Sequence, residues 1–125
     1  MKVLIIEDIE RWEQLITERL IERREQLITE RLRDEAEITV VCSVSELEEI
    51  LSSDQKFFAI ALDGWLGKDS TADFLPRLLK ISRIVISTSQ DLKLRKEMVR
   101  AGCHAGGNKW DFVDLLTELI EEIKT

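Results

Sequence analysis

The chain contains 125 residues, of which 44% are hydrophobic and 34% are charged, so it can form one domain but not two domains with separate cores. Its 25 acidic and 18 basic residues give a net charge of −7 at pH 7, which argues against nucleic acid as a partner because phosphate groups would be repelled. The longest purely apolar runs, residues 3–6 and 57–62, are far shorter than the ~20 residues of a membrane span, so we expect no membrane association.

The N-terminus does not read as a signal peptide, because Glu7, Asp8 and Glu10 interrupt it before an apolar core could form. We therefore expect a cytoplasmic protein made of a single domain, residues 1–125. Two cysteines, Cys42 and Cys103, are too few for a disulfide framework, and we expect both to be reduced.

Short apolar runs rich in Val and Ile predict strands that are buried on both faces of a parallel sheet. The predicted strands are Lys2–Ile6, Ile38–Cys42, Phe58–Leu62 and Ile84–Ile86. We expect a fifth strand between Ala101 and Lys109, although residues 103–108 form a poor strand sequence.

Charged stretches with apolar residues three or four positions apart lie between these runs and predict helices. The predicted helices are residues 10–35, 45–53, 71–80, 92–101 and 110–124, with Ser45 and Asp111 as caps or first-turn residues. Because strands and helices alternate, we expect an α/β fold with a doubly wound, five-stranded parallel sheet and helices on both faces.

A tandem duplication occupies the first predicted helix. The string Glu-Gln-Leu-Ile-Thr-Glu-Arg-Leu occurs at 13–20 and again at 25–32, and propensity favours one helix through both copies. A shift of twelve residues rotates the second copy by about 120°, so the two copies cannot face the same core. One copy then projects or loops out and offers apolar residues to a partner, most simply a second molecule in a homodimer; the alternative is a tolerated or engineered insertion.

Polar residues follow the predicted strands at the sheet edge where α/β folds place reactive groups. They are Glu7 and Asp8 after the first strand, Asp63 after the third, Ser87 and Thr88 after the fourth, and Lys109 after the fifth. Converging carboxylates repel one another unless a hard cation such as Mg²⁺ neutralises them. A lysine and a hydroxyl beside such a metal make a phosphoryl site, although each residue taken singly also has a structural explanation, as a cap, a turn residue or surface charge.

This set of residues resembles the receiver domain of two-component response regulators over essentially the whole chain. Ser87 and Lys109 are 22 residues apart, and Ala101-Gly102 precedes the lysine as the family's Ala-Gly element does. Asp8 and Asp63 are 55 residues apart, which is long for the family, but removing the twelve duplicated residues leaves 43, an ordinary value.

The resemblance implies a flavodoxin-like strand order of 2-1-3-4-5 and a role for each residue of the set. Asp63 would be the phosphoacceptor, forming an aspartyl phosphate. Asp63, Asp8, the backbone carbonyl of Trp65 and, through water, Glu7 would hold Mg²⁺. Lys109 would bind one phosphoryl oxygen and the hydroxyl of Ser87 another, with Thr88 as the alternative hydroxyl if the strand is shifted by one residue.

Three features depart from the family pattern. Gly106 stands where many receivers have a switch Tyr or Phe, and the chain contains no Tyr. Trp110 follows Lys109 in place of the usual Pro. We also expect Gly64 and Gly67 to loosen the loop after Asp63, where the usual Pro is missing.

Other chemistries have weaker support in the sequence. Cys103-His104 lacks the second ligand pair of a zinc site. The string Asp63-Gly64-Trp65 lacks the second aspartate of haloacid-dehalogenase-type phosphatases, and no Gly-rich phosphate loop follows the first strand.

The resemblance therefore implies a stand-alone receiver, a phosphoacceptor signalling protein and not an enzyme. Its partners would be a sensor histidine kinase or phosphotransfer protein and a protein output partner. Two alternatives stay open: an atypical receiver that acts as a phosphorylation-independent interaction or assembly module, and an engineered helix-duplication variant of a receiver.

Overall fold

The computed structural model describes residues 2–7, 18 and 37–124. Numbered in chain order, its strands are β1 (Lys2–Ile6), β2 (Glu37–Val41), β3 (Phe57–Leu62), β4 (Trp65–Leu66), β5 (Asp69–Ser70), β6 (Ser82–Ser87) and β7 (Ala105–Gly106). Its helices beyond residue 43 are α1 (Val44–Ser52), α2 (Leu75–Ile81), α3 (Leu92–Arg100) and α4 (Phe112–Lys124). Two 3-10 turns, Ala72–Phe74 and Lys109–Asp111, lead into α2 and α4.

Five of the strands form one parallel sheet in the order β2-β1-β3-β6-β7. The predicted doubly wound sheet is therefore confirmed, with β6 and β7 as the fourth and fifth strands of the flavodoxin-like order. The register pairs Ile6 with Leu62 and Leu62 with Ser87. Because these are the last residues of their strands, the carboxyl ends of β1, β3 and β6 lie side by side.

The core has two halves, one on each face of the sheet. Residues at odd positions in β1 and β3, such as Val3 and Ala61, pack with Phe112 and Leu116 of α4. The intervening residues, such as Leu62, pack with side chains of α1, α2 and α3. Helices on both faces explain why the strands are apolar along nearly their whole length.

The described helices lie in the predicted segments, although α2 begins only at Leu75, and side-chain caps fix the first residues of α1 and α3. Ser43 accepts a hydrogen bond from the Glu46 N–H and begins α1, so Ser45 is a first-turn residue and not the cap. Asp91 caps α3 in the same way by accepting from the Leu94 N–H.

The fifth strand is present but contains only two residues, in line with the poor strand sequence around it. The His104 N–H donates to the Val85 carbonyl, and the His104 Nδ1 accepts from the Val85 N–H at 3.0 Å. The imidazole thus takes the place of a backbone carbonyl as the acceptor for the Val85 N–H. Together the two His104 bonds extend the pairing of β7 with β6 beyond the two residues of β7.

The duplicated segment lies outside the described residues apart from Glu18, which is helical. The position of its two copies and the homodimer that they would form therefore stay predictions. No helix among the residues that the structure describes is long and apolar enough to span a membrane.

Candidate functional site

The predicted site residues that can be located lie at the carboxyl edge of the sheet. Glu7 donates its N–H to the Val41 carbonyl at 3.0 Å, and Asp63 donates its N–H to the Ile6 carbonyl at 3.0 Å. Each residue thus continues the strand ladder one step beyond its strand. The backbone of both carboxylates is therefore held by the sheet and not by a free loop.

Lys109 brings the carboxylates of Glu7 and Asp63 together. Its ammonium forms an ion pair with Glu7 Oε2, and its Nζ lies 3.7 Å from Asp63 Oδ2. Relative exposures of 3% for Glu7, 8% for Asp63 and 6% for Lys109 show that all three are buried. Charges removed from water are stable only when they are paired, and among the described residues the Lys109 ammonium faces the carboxylates of Glu7 and Asp63.

Of the two predicted hydroxyls, the strand alternation places Thr88 and not Ser87 on the face of the carboxylates. Successive residues of a strand point to opposite faces, and Ser87, the last residue of β6, directs its Oγ to Met98 Sδ on α3 at 3.4 Å. Thr88 is buried and donates its N–H to the Leu62 carbonyl, one step beyond β6. It therefore occupies the position relative to β6 that Asp63 occupies relative to β3.

The loop after Asp63 contains a short hairpin. Residues 65–70 form the antiparallel hairpin β4–β5, turning at Gly67, which has a positive φ of 64°. Gly64 is enclosed, because a Cβ there would lie 2.4 Å from Leu94 Cδ2 and 2.7 Å from Ser89 Oγ. Gly67 closes a tight turn and Gly64 fits a narrow space, and the expectation that the two glycines loosen this loop stays a prediction.

Two further contacts fix the phosphoacceptor candidate itself. The Gly64 N–H donates to Asp63 Oδ1 at 2.8 Å, and the hydroxyl of Thr71 donates to the Asp63 backbone carbonyl. The sequence marks Thr71 only as the start of a helix. Its contact with Asp63 has no local signal, because the intervening hairpin brings the two residues together.

The donor set at this edge suits Mg²⁺, which takes carboxylate and carbonyl oxygens and keeps several waters. Within the described residues, no group of three or more Asp, Glu, His or Cys side chains is placed to hold a metal ion. Glu7 and Asp63 supply two carboxylates, Asp8 lies outside those residues, and Trp65 lies in β4, two positions after Asp63. One or two carboxylates with carbonyl and water ligands are sufficient for Mg²⁺, so the residues present fit this ion.

Gly106, where many receivers carry an aromatic residue, lies against α3. A Cβ at this position would meet Arg95 Cγ at 2.9 Å and Val99 Cγ2 at 3.0 Å. Side chains of α3 therefore cover the inner side of β7, and Arg95 also donates from Nε to the Ser89 carbonyl at 2.8 Å.

The pair Cys103 and His104 serves the fold. Burial raises the pKa of the Cys103 thiol to about 11, and the side chain belongs to the core cluster beneath α2 and α3. The imidazole of His104 is engaged with the Val85 N–H.

Solved structures with the same fold include response regulator proteins. A CheY-like receiver domain from Methylobacillus flagellatus has a TM-score of 0.63 and 17% identity, with 98% of each chain covered. The N-terminal domain of a response regulator/sensory box/GGDEF three-domain protein from Carboxydothermus hydrogenoformans has a TM-score of 0.66 and 14% identity, covering 98% of this chain and 92% of that chain.

A third structure shows a ligand state. It is a response regulator from Burkholderia pseudomallei with a phosphorylated aspartic acid, a calcium ion and citrate, at a TM-score of 0.64 and 17% identity, covering 99% of this chain and 72% of that chain. No protein-family model matches the sequence, and no curated protein matches it. The chain therefore shares the fold of CheY-like receiver domains at low sequence identity.

Proposed function

We propose that this chain is a receiver domain that accepts a phosphoryl group on Asp63 and signals through altered protein–protein interaction. The observation that carries the proposal is the buried cluster in which Lys109 bridges Glu7 and Asp63 at the carboxyl edge of the sheet. The shared fold and the phosphorylated aspartic acid of the Burkholderia pseudomallei structure support it.

The proposed reaction transfers a phosphoryl group from a donor to Asp63, and the Asp63 carboxylate is the nucleophile. A carboxylate oxygen of Asp63 attacks the phosphorus of a phosphohistidine or acyl phosphate, forming the new O–P bond. The P–N or P–O bond of the donor breaks, and its electron pair leaves with the imidazole or the carboxylate. Asp8, Asp63, the Trp65 carbonyl and, through water, Glu7 would hold Mg²⁺, whose charge would offset the negative charge on the transferring group.

Lys109 and Thr88 complete the phosphoryl site in this proposal. The Lys109 ammonium, already 3.7 Å from Asp63 Oδ2, would bind one phosphoryl oxygen as a point charge. Thr88 would donate its hydroxyl to another, because it continues β6 as Asp63 continues β3. Ser87 is set aside for this role since its hydroxyl points to Met98.

The proposed partners follow from the proposed reaction. The phosphoryl donor would be a sensor histidine kinase or a phosphotransfer protein in the cytoplasm, and the output would be a protein whose affinity changes on phosphorylation. The chain would turn over its own aspartyl phosphate at most and would not act as an enzyme on other substrates.

Incubation with acetyl phosphate and Mg²⁺, followed by intact-mass measurement, tests the proposal. The wild-type chain should gain one phosphoryl group, and Asp63→Asn should gain none. Asp69→Asn, which changes an exposed carboxylate on the same hairpin, is the matched control and should gain one group. An equal gain in Asp63→Asn, or no gain in the wild type, would contradict the proposal.

The second candidate is a phosphorylation-independent interaction module, favoured by Gly106 and the α3 side chains that cover it. This candidate predicts that a partner binds the wild type and Asp63→Asn equally well. An engineered duplication of a receiver helix is compatible with either activity, and matching codons in the two repeats would indicate it.

A further inference from the structure

Thr71 makes two hydrogen bonds across the loop that follows β3. Its side chain is fully buried, with a relative exposure of 0%. Its hydroxyl donates to the backbone carbonyl of Asp63, and its N–H donates to the carbonyl of Gly64 at 3.0 Å. A residue eight positions along the chain thus holds both peptide carbonyls that begin this loop.

The hydroxyl bond reaches the Asp63 carboxylate through a single rigid peptide unit. The carbonyl that Thr71 holds and the Gly64 N–H belong to the same peptide plane, which resists twisting. That N–H donates to Asp63 Oδ1 at 2.8 Å. Fixing the carbonyl end of the plane therefore fixes the direction of the donor that orients the carboxylate.

Neighbouring side chains limit any other placement of this peptide. Gly64 lies so close to α3 and the β6–α3 loop that an added Cβ would overlap Leu94 Cδ2 and Ser89 Oγ. Close packing at Gly64 and the Thr71 bond therefore both act on this peptide. Removing the Thr71 hydroxyl tests its share without adding atoms to the site.

We propose that Thr71 is a positioning residue for phosphoryl acceptance, acting on the Asp63 carboxylate through the Asp63–Gly64 peptide. This inference rests on the proposed function and adds a residue outside the predicted set. A nucleophile reacts fast only when it is held close to the attack geometry, and small misplacements are costly in rate. The loss of the Thr71 hydroxyl should therefore slow the transfer step more than it weakens donor binding.

Thr71→Val and Thr71→Ser separate this role from a purely structural one. Valine matches threonine in shape and lacks the hydroxyl, while the Thr71 N–H bond to Gly64 that closes the hairpin remains. Serine keeps the hydroxyl and loses only a methyl group. Thr117→Val is the matched control, because the Thr117 hydroxyl also donates to a backbone carbonyl, that of Val113 in α4, away from the site.

The experiment measures the rate of phosphoryl gain on Asp63 as a function of acetyl phosphate concentration at saturating Mg²⁺. Thr71→Val should lower the maximal rate about tenfold or more, while the half-saturating concentration changes less than about threefold. Thr71→Ser and Thr117→Val should stay within about threefold of the wild type. If Thr71→Val does not fold, Thr71→Ala takes its place with the same expected loss.

Two results would overturn the inference while leaving the proposed function intact: a Thr71→Val rate equal to that of the wild type, or a Thr71→Ser rate as low as that of Thr71→Val. A wild-type chain that gains no phosphoryl group would overturn the proposed function and this inference together.

Discussion

Removing the buried cation of the carboxylate cluster should destabilise the protein strongly. Lys109→Met keeps most of the side-chain volume and removes the charge that faces Glu7 and Asp63. At 3.7 Å between Lys109 Nζ and Asp63 Oδ2, the attraction is about 4 to 5 kcal/mol at an effective dielectric constant of about 20. The contact with Glu7 is closer still, and desolvation of the three groups offsets part of both attractions.

Breaking a buried pair by removing one partner typically costs about 3 to 5 kcal/mol, and we expect a loss of this size in the free energy of unfolding. Urea denaturation followed by circular dichroism in EDTA measures it. The double variant Glu7→Gln with Lys109→Met should lose less than the sum of the two single variants, because the neutral amide no longer needs the cation. Added Mg²⁺ should restore part of the stability of Lys109→Met. A loss below about 1 kcal/mol in Lys109→Met, or additive effects in the double variant, would refute the reasoning.

Three further predictions follow from single contacts. Thr88→Ala should slow phosphoryl acceptance from acetyl phosphate at least about tenfold, and Ser87→Ala less than about twofold. A larger loss in Ser87→Ala than in Thr88→Ala would show that Thr88 does not face the carboxylates. His104→Ala should lower the free energy of unfolding by about 1 to 2 kcal/mol because the buried Val85 N–H loses its acceptor, whereas His104→Asn should recover part of the loss. Equal urea midpoints for the two variants would argue against this role of the His104 side chain. Burial raises the pKa of Cys103 from 9.0 to about 11, so the native thiol should react with iodoacetamide far more slowly at pH 8 than the unfolded thiol. The contribution of Cys103 to stability should fall as pH rises from about 9 towards 11. Rapid labelling of the native thiol at pH 8 would count against burial as the cause.

The sheet could be predicted from the sequence because its strands are buried on both faces. Nearly continuous apolar runs such as Lys2–Ile6 indicate where a central strand lies. The strand ends then identify the residues that converge, which is why the sequence predicts that Glu7, Asp63 and Lys109 lie together.

The choice between Ser87 and Thr88 depends on a single residue at the end of a strand. The apolar run predicts a strand ending at Ile86, but β6 continues to Ser87 because it pairs with Leu62 and Gly106 on its two sides. A shift of one residue exchanges the faces of all neighbouring side chains. Only the pairing partners, which the local sequence does not specify, could decide which hydroxyl faces the carboxylates.

The hairpin after Asp63 and the role of Thr71 could not be predicted for a related reason. Strands of two residues carry too little pattern to detect, and Gly67 indicates a turn without indicating what the turn brings together. The hydroxyl bond from Thr71 to Asp63 exists only once the hairpin has formed. Interactions of this kind depend on tertiary structure and have no local signature.

The central claim is that Asp63 carries the phosphoryl group, and its location can be measured directly. After acetyl phosphate and Mg²⁺ treatment, borohydride reduction converts an aspartyl phosphate to homoserine, and trypsin releases residues 57–68, in which Asp63 is the only acidic residue. We predict homoserine at position 63 in the wild type and unmodified asparagine there in Asp63→Asn. Homoserine at another aspartate, or an unmodified 57–68 peptide from a wild-type chain that has gained a phosphoryl group, would contradict the account.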